Sequence, residues 1–131
     1  MDKDQKYLIK ACLKKANDKL SSAKKLFTAK KYDDSVSRAY YCVFYASQAL
    51  LLCKNMTTKS HHGLVQMFGL HFMKTREFDP GIGIILNRLK DLREKGDYEI
   101  FSTIDNDDAK QAINDCRLFL KECKKYLSKY F

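Results

Sequence analysis

Five polar-tipped residues, Asp34, Arg38, Tyr41, Tyr45 and Gln48, follow one another at spacings of four, three, four and three. On an α-helix these intervals place all five on one stripe. Val36, Tyr40, Val43, Phe44, Leu50 and Leu51 occupy the other faces of the same segment. A charge buried without a partner costs several kcal/mol, so such a stripe needs partners. Two arrangements supply them. In one, Asp34 and Arg38 pair four residues apart with the acid first, and the phenols bond to neighbouring helices. In the other, the stripe walls a polar cleft where Arg38 binds phosphate and Tyr41 and Tyr45 stack on bases.

A second segment, Asp91-Leu92-Arg93-Glu94-Lys95-Gly96-Asp97-Tyr98, reads as a helix ending on Gly96, with a carboxylate and a phenol directly after it. Asp97 then either forms a salt bridge to an arginine such as Arg38, or stands with Arg93 and Tyr98 at the mouth of the cleft. Other chemistries find no support. The glycines form no phosphate-cradling loop, and the five cysteines contain no Cys-x-x-Cys pair. Cys116 and Cys123, seven apart, share a helical face on which burial accounts for them. His61 and His62 are adjacent, so on a helix they point about 100° apart and do not easily share one metal. No metal and no cofactor is expected.

Five helices with short joints would position these groups. The first is expected from about Asp4 to Ala29, with Leu8, Cys12, Leu20, Ala23 and Phe27 as its apolar positions. The second starts near Asp33 or Asp34, whose carboxylates suit a helix N-terminus, and runs to about Lys54. It is apolar nearly all round after Ala39, which places it at the centre of a bundle. Ser60 caps a third helix, His61 to Lys74. Asp79-Pro80 opens a fourth, marked by Ile82, Ile85, Leu86, Leu89 and Leu92 and fading at Lys95-Gly96. After a loop from Asp97 to Thr103, acidic residues at 105–108 open a fifth helix that carries Ile113, Cys116, Phe119, Leu120, Cys123, Tyr126, Leu127 and Tyr130. An all-α, up-and-down bundle follows.

Composition agrees. The chain has 131 residues, 45% hydrophobic and 12% aromatic, with five Gly and one Pro. That suits one domain over residues 1–131 and argues against a disordered tail or a turn-rich β-barrel. The N-terminus is charged and reads as no secretory leader. The longest uncharged stretch, Ala39 to Cys53, is shorter than the roughly 20 residues of a membrane span. An odd number of cysteines without framework spacing suits reduced thiols and a cytoplasmic location. The net charge of +9 is uneven: residues 1–31 carry +7, residues 117–131 carry +4, and the middle carries −2. If the two terminal helices are neighbours they make one basic surface, either a patch for an acidic partner or nucleic acid, or simply two solvated, Lys-rich faces.

Three separated motifs together carry a resemblance. Ser37-Arg38-Ala39-Tyr40-Tyr41-x-x-Phe44, Lys59-Ser60-His61-x-Gly63 and Arg93-x-x-x-Asp97-Tyr98 are similar, in the same order, to the HEPN (higher eukaryotes and prokaryotes nucleotide-binding) domain. The similarity runs from about Tyr32 to Leu127 and is nearest to its small single-domain bacterial and archaeal branch. The resemblance implies a helical bundle that dimerises, and pairing with a minimal nucleotidyltransferase in a toxin–antitoxin system. Toxic relatives are metal-independent RNases with an Arg-x(4–6)-His motif, in which Arg stabilises the phosphorane and His moves protons. Here no Arg precedes a His at that spacing, and Tyr98 stands in the His position. Two functions follow as expectations. One is a component that binds nucleotide or RNA phosphate through Arg38, Tyr41, Tyr45 and His61 with Arg93. The other is an RNase whose chemistry uses Arg93 with Asp97 or Tyr98. A structural dimer subunit, in which the motif residues only hold the bundle together, is the third reading.

Overall fold

In a computed structural model describing residues 1–131, the helix spanning Tyr32–Cys53, here α2, is the hub. α2 touches each of the other four helices: α1 (Lys3–Thr28), α3 (His61–Phe68), α4 (Pro80–Tyr98) and α5 (Asn106–Leu127). Half of its residues are buried, spread around its circumference, as its nearly continuous apolar composition requires. There are five α-helices and no strands, arranged as a bundle with short joints.

α1 runs antiparallel to α2. Gln5 Nε2 donates to the Leu52 carbonyl at one end (2.6 Å), and Ser35 Oγ donates to the Ala23 carbonyl at the other (2.8 Å). Its buried positions are Ile9, Ala16, Leu20 and Ala23, so the inward stripe is phased on Ile9. Leu8, expected inside, is 49% exposed, because on a helix it points about 100° away from Ile9.

α3 begins as expected, with Ser60 Oγ accepting from the Gly63 amide (2.8 Å). It does not continue as α-helix to Lys74. Gly69–Met73 is a turn of π-helix, closed by the Lys74 amide donating to the Gly69 carbonyl (2.8 Å). Phe72, in that turn, stacks on Phe68 and meets the edges of Phe78 and Tyr126. Beside this aromatic cluster Glu77 accepts from Lys54, Thr75 and Tyr126. Burial raises its carboxyl, but these three donors outweigh it and hold the group at about 2.

α4 has Pro80 in its first turn, as read from the sequence, while the Asp79 side chain makes no capping bond. The helix does not stop at Gly96; it runs through it to Tyr98. A Cβ on Gly96 would lie 2.7 Å from Ile104 Cδ1 and 3.5 Å from Asp33, so this glycine permits close approach between α4, the start of α2 and the segment entering α5. The connecting loop therefore begins at Glu99. At the start of α5, Asp105 and Asp108 form a reciprocal capping box (2.9 and 3.2 Å). The buried carboxylate of Asp115 fixes α5 to α4, accepting from Arg88 (2.6 and 3.1 Å) and from Gln111 (2.9 Å).

The thiols of Cys42, Cys116 and Cys123 are buried where α2 meets α5, as the seven-residue spacing of the last two implied. α1 and α5 lie side by side, with Lys124 Nζ donating to Asn17 Oδ1 (2.8 Å), so the two basic termini form one surface. No helix is long and apolar enough to cross a membrane.

Candidate functional site

Arg93 is the centre of the one polar cluster that draws on all three sequence motifs. It leaves α4 toward the bundle and is only 8% exposed, because the helix turn that carries it faces α2. Its guanidinium lies over the rings of Tyr40 (5.0 Å) and Tyr41 (5.7 Å), two cation–π contacts at α2. Nη1 donates to Asp97 Oδ2 at 3.3 Å and to Tyr41 Oη at 3.4 Å. Both bonds are long for a charged donor, which normally comes to about 2.7–2.9 Å. Nε is buried and has no partner at all. The guanidinium is thus enclosed but poorly satisfied.

His61, in the first turn of α3, closes another side. Its Nδ1 and Tyr40 Oη are 2.6 Å apart, and its ring packs against Tyr40, Tyr41 and Phe44 (5.5, 5.9 and 5.1 Å). Burial pushes the Tyr40 phenol far above its ordinary value, more than the attraction of Arg93 lowers it. Tyr40 is therefore a neutral O–H, and its hydrogen-bond partner is His61. Burial first, and then the charges of Arg93 and Lys90, hold His61 below its ordinary 6.5, with Glu94 opposing them. A neutral imidazole that accepts from a phenol on Nδ1 carries its own proton on Nε2. The cluster thus offers a guanidinium and an imidazole N–H from two different helices.

Next to it on α4, Lys90 Nζ donates to Glu94 Oε1 (2.8 Å), a bond that draws the Glu94 carboxyl below its ordinary value. Lys90 stands three residues before Arg93 and Asp97 four after it, while Glu94 lies four after Lys90.

The sequence-derived residues separate into two groups. Arg93, Asp97, Tyr41 and His61 converge. Tyr45 lies one turn further along α2, its ring beside Tyr41 (6.4 Å) and under Lys15 Nζ (4.9 Å). Gln48, lower on the stripe, donates to the Thr58 carbonyl (2.9 Å). Arg38 is exposed, and neither it nor Asp34 forms an ion pair, so the Asp34–Arg38 bridge offered by the spacing is not made. Asp97 finds its arginine four residues back on its own helix instead. Tyr98 is 74% exposed at the end of α4. Tyr40 was read from the sequence only as part of an apolar face; the phenol at its tip, and its place in the first motif, were the signals for a polar role.

Comparison with known proteins completes the description. The family model of the HEPN domain matches residues 9–126. Two proteins of Methanocaldococcus jannaschii, each named "putative toxin", are similar to this chain. One is 37% identical over 97% of this chain and 94% of its own length. The other is 35% identical over 88% of this chain and 78% of its own. A UPF0332 protein of Thermotoga maritima is 28% identical over 95% of this chain and 94% of its own length.

Proposed function

Since the chain belongs to the HEPN domain family, we propose that it is the toxin-side member of a two-protein, toxin–antitoxin type system and engages nucleotide or RNA phosphate at the Arg93 cluster. One observation carries this reading. A guanidinium that is 8% exposed, with an orphan Nε and two overlong bonds, is short of an acceptor. A phosphate oxygen is the acceptor that suits it, with the Nε2–H of His61 as second donor. The names of the two archaeal relatives support the toxin assignment. The expected companions are a second copy of the chain and a minimal nucleotidyltransferase.

Binding is the reading, rather than cleavage, because of the proton on His61. A general base needs a lone pair facing the 2′-hydroxyl, and the Tyr40 bond places the lone pair on the inner nitrogen. Titration calorimetry with adenosine monophosphate and with a short RNA tests this. Arg93→Met and His61→Asn each remove a donor to an anion, so each is expected to weaken binding by roughly ten- to a hundredfold, the equivalent of about 1.5–3 kcal/mol. No binding to the wild-type protein, or binding indifferent to both substitutions, sinks the proposal. The same incubation reads cleavage: RNA shortened by the wild type and spared by His61→Asn would make the protein a ribonuclease instead.

A further inference from the structure

We infer that a second anion site, a track for the phosphodiester backbone of single-stranded RNA, lies in the groove between α1 and α5. It rests on the reading of RNA as a ligand but uses none of the Arg93 cluster: α1 and α4 do not touch, and α2 stands between them.

The groove is a cleft of about 360 Å³ with Lys24 on the α1 wall, Lys110, Asn114 and Arg117 on the α5 wall, and Phe27 and Ile113 in its floor. No carboxylate lines it. Lys24, Lys110 and Arg117 are all exposed, and none forms an ion pair. Like charges gathered on two facing walls repel, and an anion between them removes that cost.

The groove also continues. Lys110, Asn114, Arg117, Lys121 and Lys124 recur at four, three, four and three, a single exposed stripe of α5. It follows α1 from Lys24 to Asn17, where Lys124 makes its bond. From 110 to 124 the stripe is about 21 Å long at 1.5 Å per residue. That is a regular row of cations, matched to a regular row of anions.

The chemistry favours nucleic acid over protein as the occupant. The centres of protein–protein interfaces are depleted of charge, and of lysine in particular. Interfaces with nucleic acids are polar and strongly positive. Here the apolar part is confined to the floor, and lysine dominates the walls. The two asparagines, Asn17 and Asn114, add neutral donors between the charges without opposing the anion.

Fluorescence anisotropy with a labelled oligouridylate of about 12 nucleotides, titrated between about 50 and 200 mM salt, tests the track. The variant is K24Q/K110Q/R117Q, whose positions are exposed, with thermal melting to verify that it folds. Three phosphate contacts on a single strand contribute about two to the slope of log affinity against log salt, and the triple variant is expected to lose that much slope and at least about tenfold in affinity at low salt. Adenosine monophosphate binding is expected to be unchanged in the variant. Equal slope and affinity in variant and wild type overturn the track, and so does no oligonucleotide binding at all. Polyglutamate of equal length competing as well as the RNA also overturns it, since the groove would then suit an acidic polypeptide. Failure of the Arg93 reading looks different: mononucleotide binding is lost while the oligonucleotide still depends on the three cations.

Discussion

At the scale of single residues, Arg93 and His61 explain each other. The sequence places them 32 positions apart and in separate motifs, and their proximity exists only because Tyr40 sits between them, bonded to one and stacked under the other. This was not legible beforehand, since a phenol with an apolar body reads as core and a contact between side chains of different helices depends on packing. What could be read was that Arg93, Asp97, Tyr41 and His61 are candidates for one site, and the fold brings these four together. Their proximity has a titration consequence. The folded protein holds His61 below 6.5, whereas the unfolded chain does not. As pH falls through about 6.5 the unfolded state takes up a proton that the folded state refuses, so stability falls there and levels off once the folded imidazole also charges. Urea midpoints measured from pH 7.5 down to pH 5 should show this slope in the wild type and a flatter one in His61→Asn. By NMR titration, Arg93→Met should bring the His61 midpoint back up toward 6.5; an unmoved midpoint would refute the charge coupling.

At the scale of elements, most of the helix layout followed from caps and periodicity, and the misreadings have specific causes. Gly96 looked like a helix stop because glycine serves both helix ends and close approaches, and only the neighbour decides; here Ile104 and Asp33 press against it inside α4. In α1 the expected Leu20 and Ala23 are buried, but at the first turn Ile9 rather than Leu8 faces inward; both are apolar, and only contact with α2 selects between them. The π-turn after Phe68 left no sign in the spacing of Phe68, Phe72 and Phe78. Gly63 has a role that its sequence position suggested only through the motif. A Cβ there would fall 2.6 Å from both Ser60 Oγ and Thr58 Oγ1, displacing the hydroxyl that caps α3. Gly63→Ala is therefore expected to cost about 1 kcal/mol, as Ser60→Ala does, by loss of the same cap. Thermal melts of the two single variants and the double should show that the losses do not add; full additivity would disconnect Gly63 from the cap. Since His61 follows directly after Ser60, both variants should also weaken anion binding at the cluster.

At the scale of the whole molecule, two exposed features point outward. Ile100 and Phe101 are 94% and 88% exposed, an adjacent apolar pair in the loop that follows Tyr98. Large apolar side chains so placed mark association surfaces, and the expected second copy would cover them. Sedimentation of Ile100→Ser/Phe101→Ser should shift toward monomer relative to wild type without lowering helicity; an unchanged mass would exclude this loop from the interface. The net charge of +9 was visible from the start, but its division into a paired, nearly neutral site and an unpaired track depended on the antiparallel packing of the two termini.

The three buried thiols at the α2–α5 contact also give the protein an internal clock. Cys116 is raised by the Cys42 thiol beside it and by burial, and Cys123 by burial, so neither offers thiolate to a reagent while the helices stay together. Burial raises Cys12 and Cys53 as well, but both are partly exposed and lie outside that contact, so a reagent reaches them without the helices parting. An alkylating reagent followed by intact mass should therefore add two groups quickly and three slowly, and the slow phase times how often α5 lifts from α2. Five additions at one rate would mean that the seam opens as readily as the surface.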